Sequence, residues 1–163
     1  MAGVGQYPSQ GEAASAVKTA MHAVALATLN PTPAVLDPVP HVAFGYPSSL
    51  DFDDIVAVTE VRVQPASSDV VSPTRRRELD VYVDLMVSAW RVTNEDQDVH
   101  HVAYRLLDLV DTAYRTDTTL GGAVLWCFSD DLQSSGTTPE EMTGDGRFHE
   151  ITATYRSRVI IRN

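Results

Sequence analysis

The chain has 163 residues, 44% of them hydrophobic and 21% charged, which indicates one folded globular domain. Twelve Lys and Arg against 22 Asp and Glu give a formal net charge of −10, which repels phosphate backbones and anionic membranes and disfavours a nucleic-acid-binding protein. Cys127 is the only cysteine, so no intrachain disulfide or cysteine-based zinc site can form, and a reducing compartment is expected.

The first predicted element is a helix that ends near residue 29, after a flexible N-terminus at residues 1–8. Ser9 and Glu12 have the spacing of a capping box, in which each side chain bonds the other residue's amide. Residues at helical spacing then predict one mostly small apolar stripe that packs on a sheet: Ala14, Val17, Met21, Val24, Ala25 and Thr28. The charges around this apolar run do not fit a signal peptide, and no run is long enough to cross a bilayer, so we expect a soluble protein.

A proline-rich segment and two strands follow. Five prolines between residues 31 and 47 predict an ordered connector rather than a helix or a domain boundary. Residues 55–63 alternate as a strand, with one face formed by Ile55, Ala57, Thr59, Val61 and Val63. Residues 79–88 predict a second strand, with one apolar face formed by Leu79, Val81, Val83, Leu85 and Val87. The two strands are expected to pair antiparallel across a long exposed loop at residues 64–78.

The second half of the chain repeats this order. An acidic cluster at residues 94–98 predicts the start of a helix that runs to about Tyr114. Its predicted core stripe is Val99, Val102, Ala103, Leu106, Val110 and Ala113, widened by Leu107, Leu109 and Tyr114. A Gly-Gly turn leads to a third strand at residues 123–128, and a fourth strand is predicted at residues 151–161. Residues 133–149 are polar, without an apolar period, and predict a second exposed loop.

The predicted element order is helix, two strands, helix, two strands. It indicates an α+β, two-layer fold over residues 1–163. We expect a mixed, mainly antiparallel sheet of about four strands, packed against two principal helices.

No catalytic, cofactor or metal-binding constellation stands out, and the chain is not expected to be an enzyme. Cys127 lies in an apolar alternation, where a thiol is usually core filler. His100 and His101 point about 100° apart on a helix, so they cannot share a metal ion as an i, i+4 pair can. The acidic residues at 51–54 and 130–131 could work as acid and base or hold a hard cation, but neither cluster has the spacing of a calcium loop.

Segregated charges suggest protein contacts instead. The only basic run is at residues 75–77 of this acidic chain, and an acidic pair lies in the second predicted loop. Complementary patches of this kind fix the register between subunits, although a solvated charged face is the alternative interpretation. The predicted subunit-interface residues are Arg75, Arg76, Arg77, Glu140, Glu141, Arg156 and Arg158.

A family resemblance adds a function to this pattern. The central amphipathic helix, the Thr-Thr-Leu-Gly-Gly-Ala-Val turn at residues 118–124 and the late strand at residues 151–161 resemble tail terminator proteins of long-tailed bacteriophages. The resemblance implies a small α/β domain that forms a hexameric ring on the end of the tail tube, halts its polymerisation and provides the head-joining surface. It also implies a structural role without cofactor or reaction, at the tail-neck junction of the virion, after synthesis in the host cytoplasm.

The implied partners are further copies of the chain, the major tail tube protein and the head-tail connector or stopper protein. DNA would pass through the ring without sequence-specific binding, and no membrane is involved. Two alternatives remain open. One is a head-tail connector or head-completion protein of the phage neck, and the other is a small-molecule-binding or accessory enzyme subunit that uses the region at residues 51–54.

Overall fold

The computed structural model describes residues 3–49, 51–66, 76–134 and 146–162, with the backbone alone at Arg76. These residues form two α-helices and six β-strands. In chain order the elements are β1 (Gln6–Tyr7), α1 (Gln10–Leu29), β2 (His41–Phe44), β3 (Asp54–Pro65), β4 (Arg76–Arg91), α2 (Asp96–Thr116), β5 (Trp126–Ser134) and β6 (Arg147–Arg162).

All six strands of the described residues join one mixed sheet. The order across the sheet is β1-β6-β4-β3-β2, and β5 pairs with the same edge of β6 as β1. The pairs β3–β4, β4–β6 and β5–β6 are antiparallel, whereas β1–β6 and β2–β3 are parallel. The mixed α+β fold with two helices is therefore confirmed. The expected mainly antiparallel sheet of about four strands is corrected to a mixed sheet of six, in which two of the five strand pairs are parallel.

Both helices pack on the same face of the sheet. The Ser9 hydroxyl caps α1 by accepting a hydrogen bond from the Glu12 amide at 3.2 Å, as predicted. The Tyr114 hydroxyl donates to the Met21 carbonyl at 2.9 Å and so ties α2 to α1. The sheet side of this core contains the predicted faces of β4 and β6: Leu79, Val81, Val83, Leu85, Val87, Ile151, Ala153, Tyr155 and Val159.

The buried stripe of α1 is shifted slightly from the prediction. It recurs at strict four-residue intervals, as Ala13, Val17, Met21, Ala25 and Leu29. The buried positions of α2 follow the prediction more closely, as Val99, Ala103, Leu106, Leu107, Val110 and Tyr114.

Two short strands were not predicted. β1 lies in the segment expected to be flexible, where the Ile160 amide donates a hydrogen bond to the Gly5 carbonyl at 2.7 Å. Gly5 has φ 61° and a Cβ there would lie 2.8 Å from the Leu125 amide, so glycine is required at this close approach. β2 lies inside the proline-rich connector and pairs parallel with β3. Both strands are too short for periodicity and depend on distant partners, so local sequence gave no signal.

A β-bulge in β3 also changes the predicted alternation. The register with β4 shifts between Val58 and Val61, so Val56 and Val61 both face the helices. Ile55 and Ala57 therefore lie on the opposite face, in a small apolar cluster with Ala43 and Met86. The prediction that one face carries Ile55 through Val63 was wrong, because one extra residue reverses the side-chain alternation.

The third predicted strand begins later than expected. Asp117 accepts hydrogen bonds from the Thr119 and Gly121 amides at 3.0 and 2.7 Å, and Gly121 and Gly122 adopt φ 69° and 90°. These contacts keep the chain in turns up to the start of β5. Val124 is fully buried in this turn, so its apolar character reflects burial rather than strand pairing.

The two predicted loops are shorter than proposed. β3 and β4 include parts of the range 64–78, and β5 and β6 include parts of the range 133–149. The remainder of each range lies mostly outside the described residues.

Truncating the helix core tests this packing. Leu106→Ala in α2 removes a side chain that is only 4% exposed and should lower the free energy of unfolding by about 2–5 kcal/mol. Leu26→Ala in α1 is the matched control, because Leu26 is 40% exposed and its loss should change stability by less than about 0.5 kcal/mol. Urea unfolding followed by circular dichroism measures both. Equal midpoints for the two variants would contradict the assigned helix face.

Candidate functional site

The opposite side of the sheet, which we call the helix-free face, carries the most concentrated set of polar contacts. Asp80 of β4 is 2% exposed, and two arginines of β6 hold its carboxylate. Arg156 donates from Nη2 at 2.6 Å and from Nε at 3.1 Å, and Arg158 donates from Nε at 2.9 Å. We call Arg156, Asp80 and Arg158 the Arg–Asp–Arg cluster.

The register of the sheet builds this cluster. Asp80 pairs directly with Arg158 across β4 and β6, and Arg158 pairs with Trp126 across β6 and β5. The next row of the helix-free face pairs Tyr82 with Arg156. Cross-strand neighbours have Cβ atoms about 5 Å apart, so these side chains meet without any loop to position them.

Burial and hydrogen bonding act on Asp80 in opposite directions. Burial by itself raises the pKa of this carboxyl group, but the hydrogen bonds from Arg158 and Arg156 outweigh it and hold the pKa below its usual value. Asp80 is therefore ionised at neutral pH, and the two guanidinium groups leave the cluster with one net positive charge. Glu78 lies 3.5 Å from Arg158 and offsets that charge.

Aromatic side chains adjoin the cluster. The guanidinium carbons of Arg158 and Arg156 lie 5.0 and 5.6 Å from the Trp126 ring centroid, within the range of cation–π attraction. Phe128 lies 5.5 Å from Trp126 and is 51% exposed. Arginines with large aromatic rings are typical of protein–protein interfaces.

The structure places some of the predicted interface residues and leaves others outside the described part of the chain. Arg156 and Arg158 share the helix-free face as predicted, but their closest acidic partner in the described residues is Asp80 of the same chain. Arg77 is exposed near the start of β4, and the Arg76 backbone pairs with Arg162. Arg75, Glu140 and Glu141 lie outside the described residues. Their role in an interface stays a prediction.

Cys127, the candidate nucleophile of the sequence, lies in the core. Cys127 is 1% exposed, and burial raises the pKa of its thiol to about 11, which opposes nucleophilic reactivity. No group of three or more His, Cys, Asp or Glu side chains in the described part of the chain is placed to hold a metal ion.

The acidic residues at 51–54 have two different environments. Asp54 is 4% exposed and accepts two hydrogen bonds from Arg91, at 2.6 and 2.9 Å, so it is engaged in a structural ion pair. Asp51 and Asp53 instead line a cavity of about 360 Å³ beside Phe52 and Trp90.

A histidine contact was not predicted. His149 is 2% exposed, and its ring lies 5.1 Å from the His100 ring with Nε2 2.8 Å from the Ser134 hydroxyl. Burial lowers the pKa of His149, and His100 lowers it further, while Asp96 opposes the shift. The two residues of the Ser134–His149 contact belong to different strands, so only the antiparallel pairing of β5 and β6 brings them together.

Removing the central carboxylate tests the Arg–Asp–Arg cluster. Asp80→Asn leaves two partly buried guanidinium groups without their counter-charge and should lower the free energy of unfolding by about 1–3 kcal/mol. The exposed Asp131 of β5 provides the control variant Asp131→Asn, expected to change stability by less than about 0.5 kcal/mol. Thermal or urea unfolding distinguishes them. A wild-type midpoint for Asp80→Asn would show that the charge of Asp80 beside the two arginines does not contribute to the stability of the fold.

The buried histidine predicts a pH dependence. The unfolded chain has the ordinary histidine pKa of about 6.5, and the folded value is lower, so the unfolded chain binds the proton first as pH falls. The contribution of His149 to stability is therefore present above about pH 6.5 and declines below it. Urea unfolding at several pH values should show a smaller loss on acidification for His149→Gln than for wild type. His101→Gln, at an exposed position, should keep the wild-type slope, and equal slopes for all three proteins would contradict the assignment.

Comparison with known proteins adds no assignment. A scan against protein-family models and a search of curated proteins both gave no match for this chain. None of the helices in the described residues is long and apolar enough to cross a membrane. The function is therefore inferred from the residues and the fold themselves.

Proposed function

We propose that this chain is a structural virion protein, a tail terminator that caps the tail tube of a long-tailed bacteriophage as a hexameric ring. In this role it stops tube polymerisation and offers the surface that joins the head. The observation that carries the proposal is the two-layer architecture, in which both helices cover one face of a mixed sheet and the helix-free face carries aromatic rings and the Arg–Asp–Arg cluster.

The helix-free face suits contact with protein. Phe128 is 51% exposed, Trp90 is 39% exposed, and the side chain of Arg62 is 51% exposed. Exposed aromatic and arginine side chains contribute most of the binding free energy in many interfaces. A rigid sheet holds them in fixed positions, because their spacing follows the strand register rather than a loop.

The charge of the chain fits a ring that surrounds DNA. Each cation that contacts a phosphate adds a salt-dependent attachment, which would hinder the passage of DNA. A net charge of −10 disfavours such attachments. The proposed partners are other copies of this chain, the major tail tube protein and the connector or stopper protein, at the tail-neck junction of the virion.

A second candidate function has one observation in its favour. The cavity lined by Asp51, Phe52, Asp53 and Trp90 has about 360 Å³, close to the lower end of the range for small-ligand sites. A small-molecule-binding or accessory subunit would use this cavity. The tail terminator is preferred because the exposed arginine and aromatic residues extend across the sheet, well beyond this cavity.

Tube assembly tests the proposed function. Polymerising the tail tube protein of the same virus with this chain should give tubes of limited length, each with a ring at one end, whereas the tube protein alone should continue to elongate. Negative-stain electron microscopy measures tube length and the fraction of capped ends. Unlimited tubes without capped ends would contradict a terminator. A ring that binds only the head-side connector would instead favour a neck protein.

A charge reversal in the same assay tests the basic run. Replacing Arg75, Arg76 and Arg77 together by Glu should reduce the fraction of capped ends, because reversing three charges repels an acidic partner surface. The single variant Arg77→Ala should change the fraction of capped ends only slightly, since one exposed ion pair contributes roughly 0–1 kcal/mol. Normal capping by the triple variant, with its fold checked by circular dichroism, would remove this run from the interface.

A further inference from the structure

An aromatic and basic projection lies at the β2 edge of the sheet. Lys18 and His22 of α1 contact the Phe44 ring, with the Lys18 Nζ 4.6 Å from its centroid and the two rings 5.4 Å apart. Phe44 nevertheless remains 54% exposed. Lys18 is the only lysine in the sequence and makes no ion pair with any other described residue. We call Lys18, His22 and Phe44 the aromatic knob.

A groove of opposite character lies at the β5 edge. It is a cavity of about 480 Å³ between α2 and strands β5 and β6. We call it the acidic groove and define it by Tyr104, Leu107, Asp108, Asp111 and Leu132. Leu132 is 46% exposed at its mouth, so the groove presents apolar surface to solvent as well as carboxylates.

The two carboxylates of the acidic groove differ in their partners. Asp111 accepts hydrogen bonds from Arg115 at 2.7 Å and from the Tyr155 hydroxyl at 2.8 Å, so its charge is largely offset within the chain. Asp108 is exposed, and the structure gives it no ion pair within the described residues. The uncompensated charge of the groove is therefore negative and is located at Asp108.

The placement of the two surfaces fits head-to-tail association. β2 is one edge strand of the sheet, and β5 lies along the opposite edge. Both surfaces include residues of the helix layer, since the knob uses α1 and the groove uses α2. Subunits in a ring meet through two different patches, so each copy would present its knob on one side and its groove on the other.

We propose that the aromatic knob of one copy inserts into the acidic groove of the next, with Phe44 against Leu132 and the Lys18 ammonium paired with Asp108. Insertion would bury exposed apolar surface on both sides and pair two charges that make no ion pair within the described residues. This inference rests on the proposed ring and assigns its subunit contact.

Chemical cross-linking can detect the contact directly. A carbodiimide joins a carboxylate to an amine only when the two groups touch, and Lys18 supplies the only side-chain amine of the chain. An equal mixture of unlabelled and ¹⁵N-labelled protein should give Lys18–Asp108 peptides that combine one light and one heavy partner. Such mixed peptides can come only from two different copies, which excludes a link within one chain.

Matched variants make this measurement specific. Asp108→Asn should abolish the mixed peptide, whereas Asp98→Asn, at another exposed acid of α2, should leave it unchanged. Lys18→Glu places two like charges in contact and should reduce oligomer formation on the order of tenfold or more. The double variant Lys18→Glu with Asp108→Lys should restore oligomer formation, measured by native mass spectrometry with circular dichroism as the check of fold.

The outcomes separate this inference from the proposed function. Absence of the mixed peptide at high protein concentration would overturn the knob-and-groove contact. Normal capping of tubes by Lys18→Glu would also overturn it, while leaving the terminator function intact. Failure of the wild-type chain to form rings or to cap tubes would overturn both.

Discussion

The pairing of β4 with β6 is the constraint on which the other features of this fold depend. The two strands match residue for residue from Arg76 opposite Arg162 to Arg91 opposite Arg147. Because side chains alternate, this single register places the apolar residues under the helices and the charged residues on the helix-free face. A slip of one residue in either strand would turn that strand's charged side chains toward the helices, Asp80 for β4 or Arg156 and Arg158 for β6. The core and the Arg–Asp–Arg cluster therefore share one cause.

The free edge of β6 then organises the rest of the sheet. β5 occupies most of that edge and β1 occupies its end, so the N-terminal segment and the Gly-Gly turn meet there. Gly5 donates to the Gly122 carbonyl at 2.9 Å, and the Tyr7 hydroxyl donates to the Ala123 carbonyl at 2.7 Å. The Gly-Gly turn thus also holds β1 in place, and the turn and the approach to β1 both contain glycines with positive φ.

Sequence patterns predicted the elements with clear periodicity and missed those that depend on distant partners. The alternation in β4 and β6 and the stripe of α2 follow from residues within one element, so local sequence is sufficient. β1 and β2 form parallel pairs with strands elsewhere in the chain, and the bulge after Val58 depends on the partner strand. The contact between Asp80 and the two arginines likewise depends on register, although the shared face of Arg156 and Arg158 was predictable.

The candidate site differs from the predicted one in where its charges are balanced. The segregation of charges in the sequence suggested that Arg156 and Arg158 face acids of a neighbouring copy or of the tube. In the structure, Asp80 of the same chain accepts hydrogen bonds from both. A preformed cluster holds the arginines rigid, so less side-chain entropy is lost when another protein binds beside them. Their cation–π contacts with Trp126 extend that rigid surface to the edge strand.

We propose that this sheet forms one wall of a closed ring on the end of a tail tube. Cryo-electron microscopy of capped tubes tests it most directly, because one reconstruction gives both the number of copies and the face in contact. We expect six copies in one closed ring, with Trp126 and the Arg–Asp–Arg cluster facing another subunit or the tube. A capped end on which the helix-free face meets only solvent, or a tube end without this chain, would contradict it.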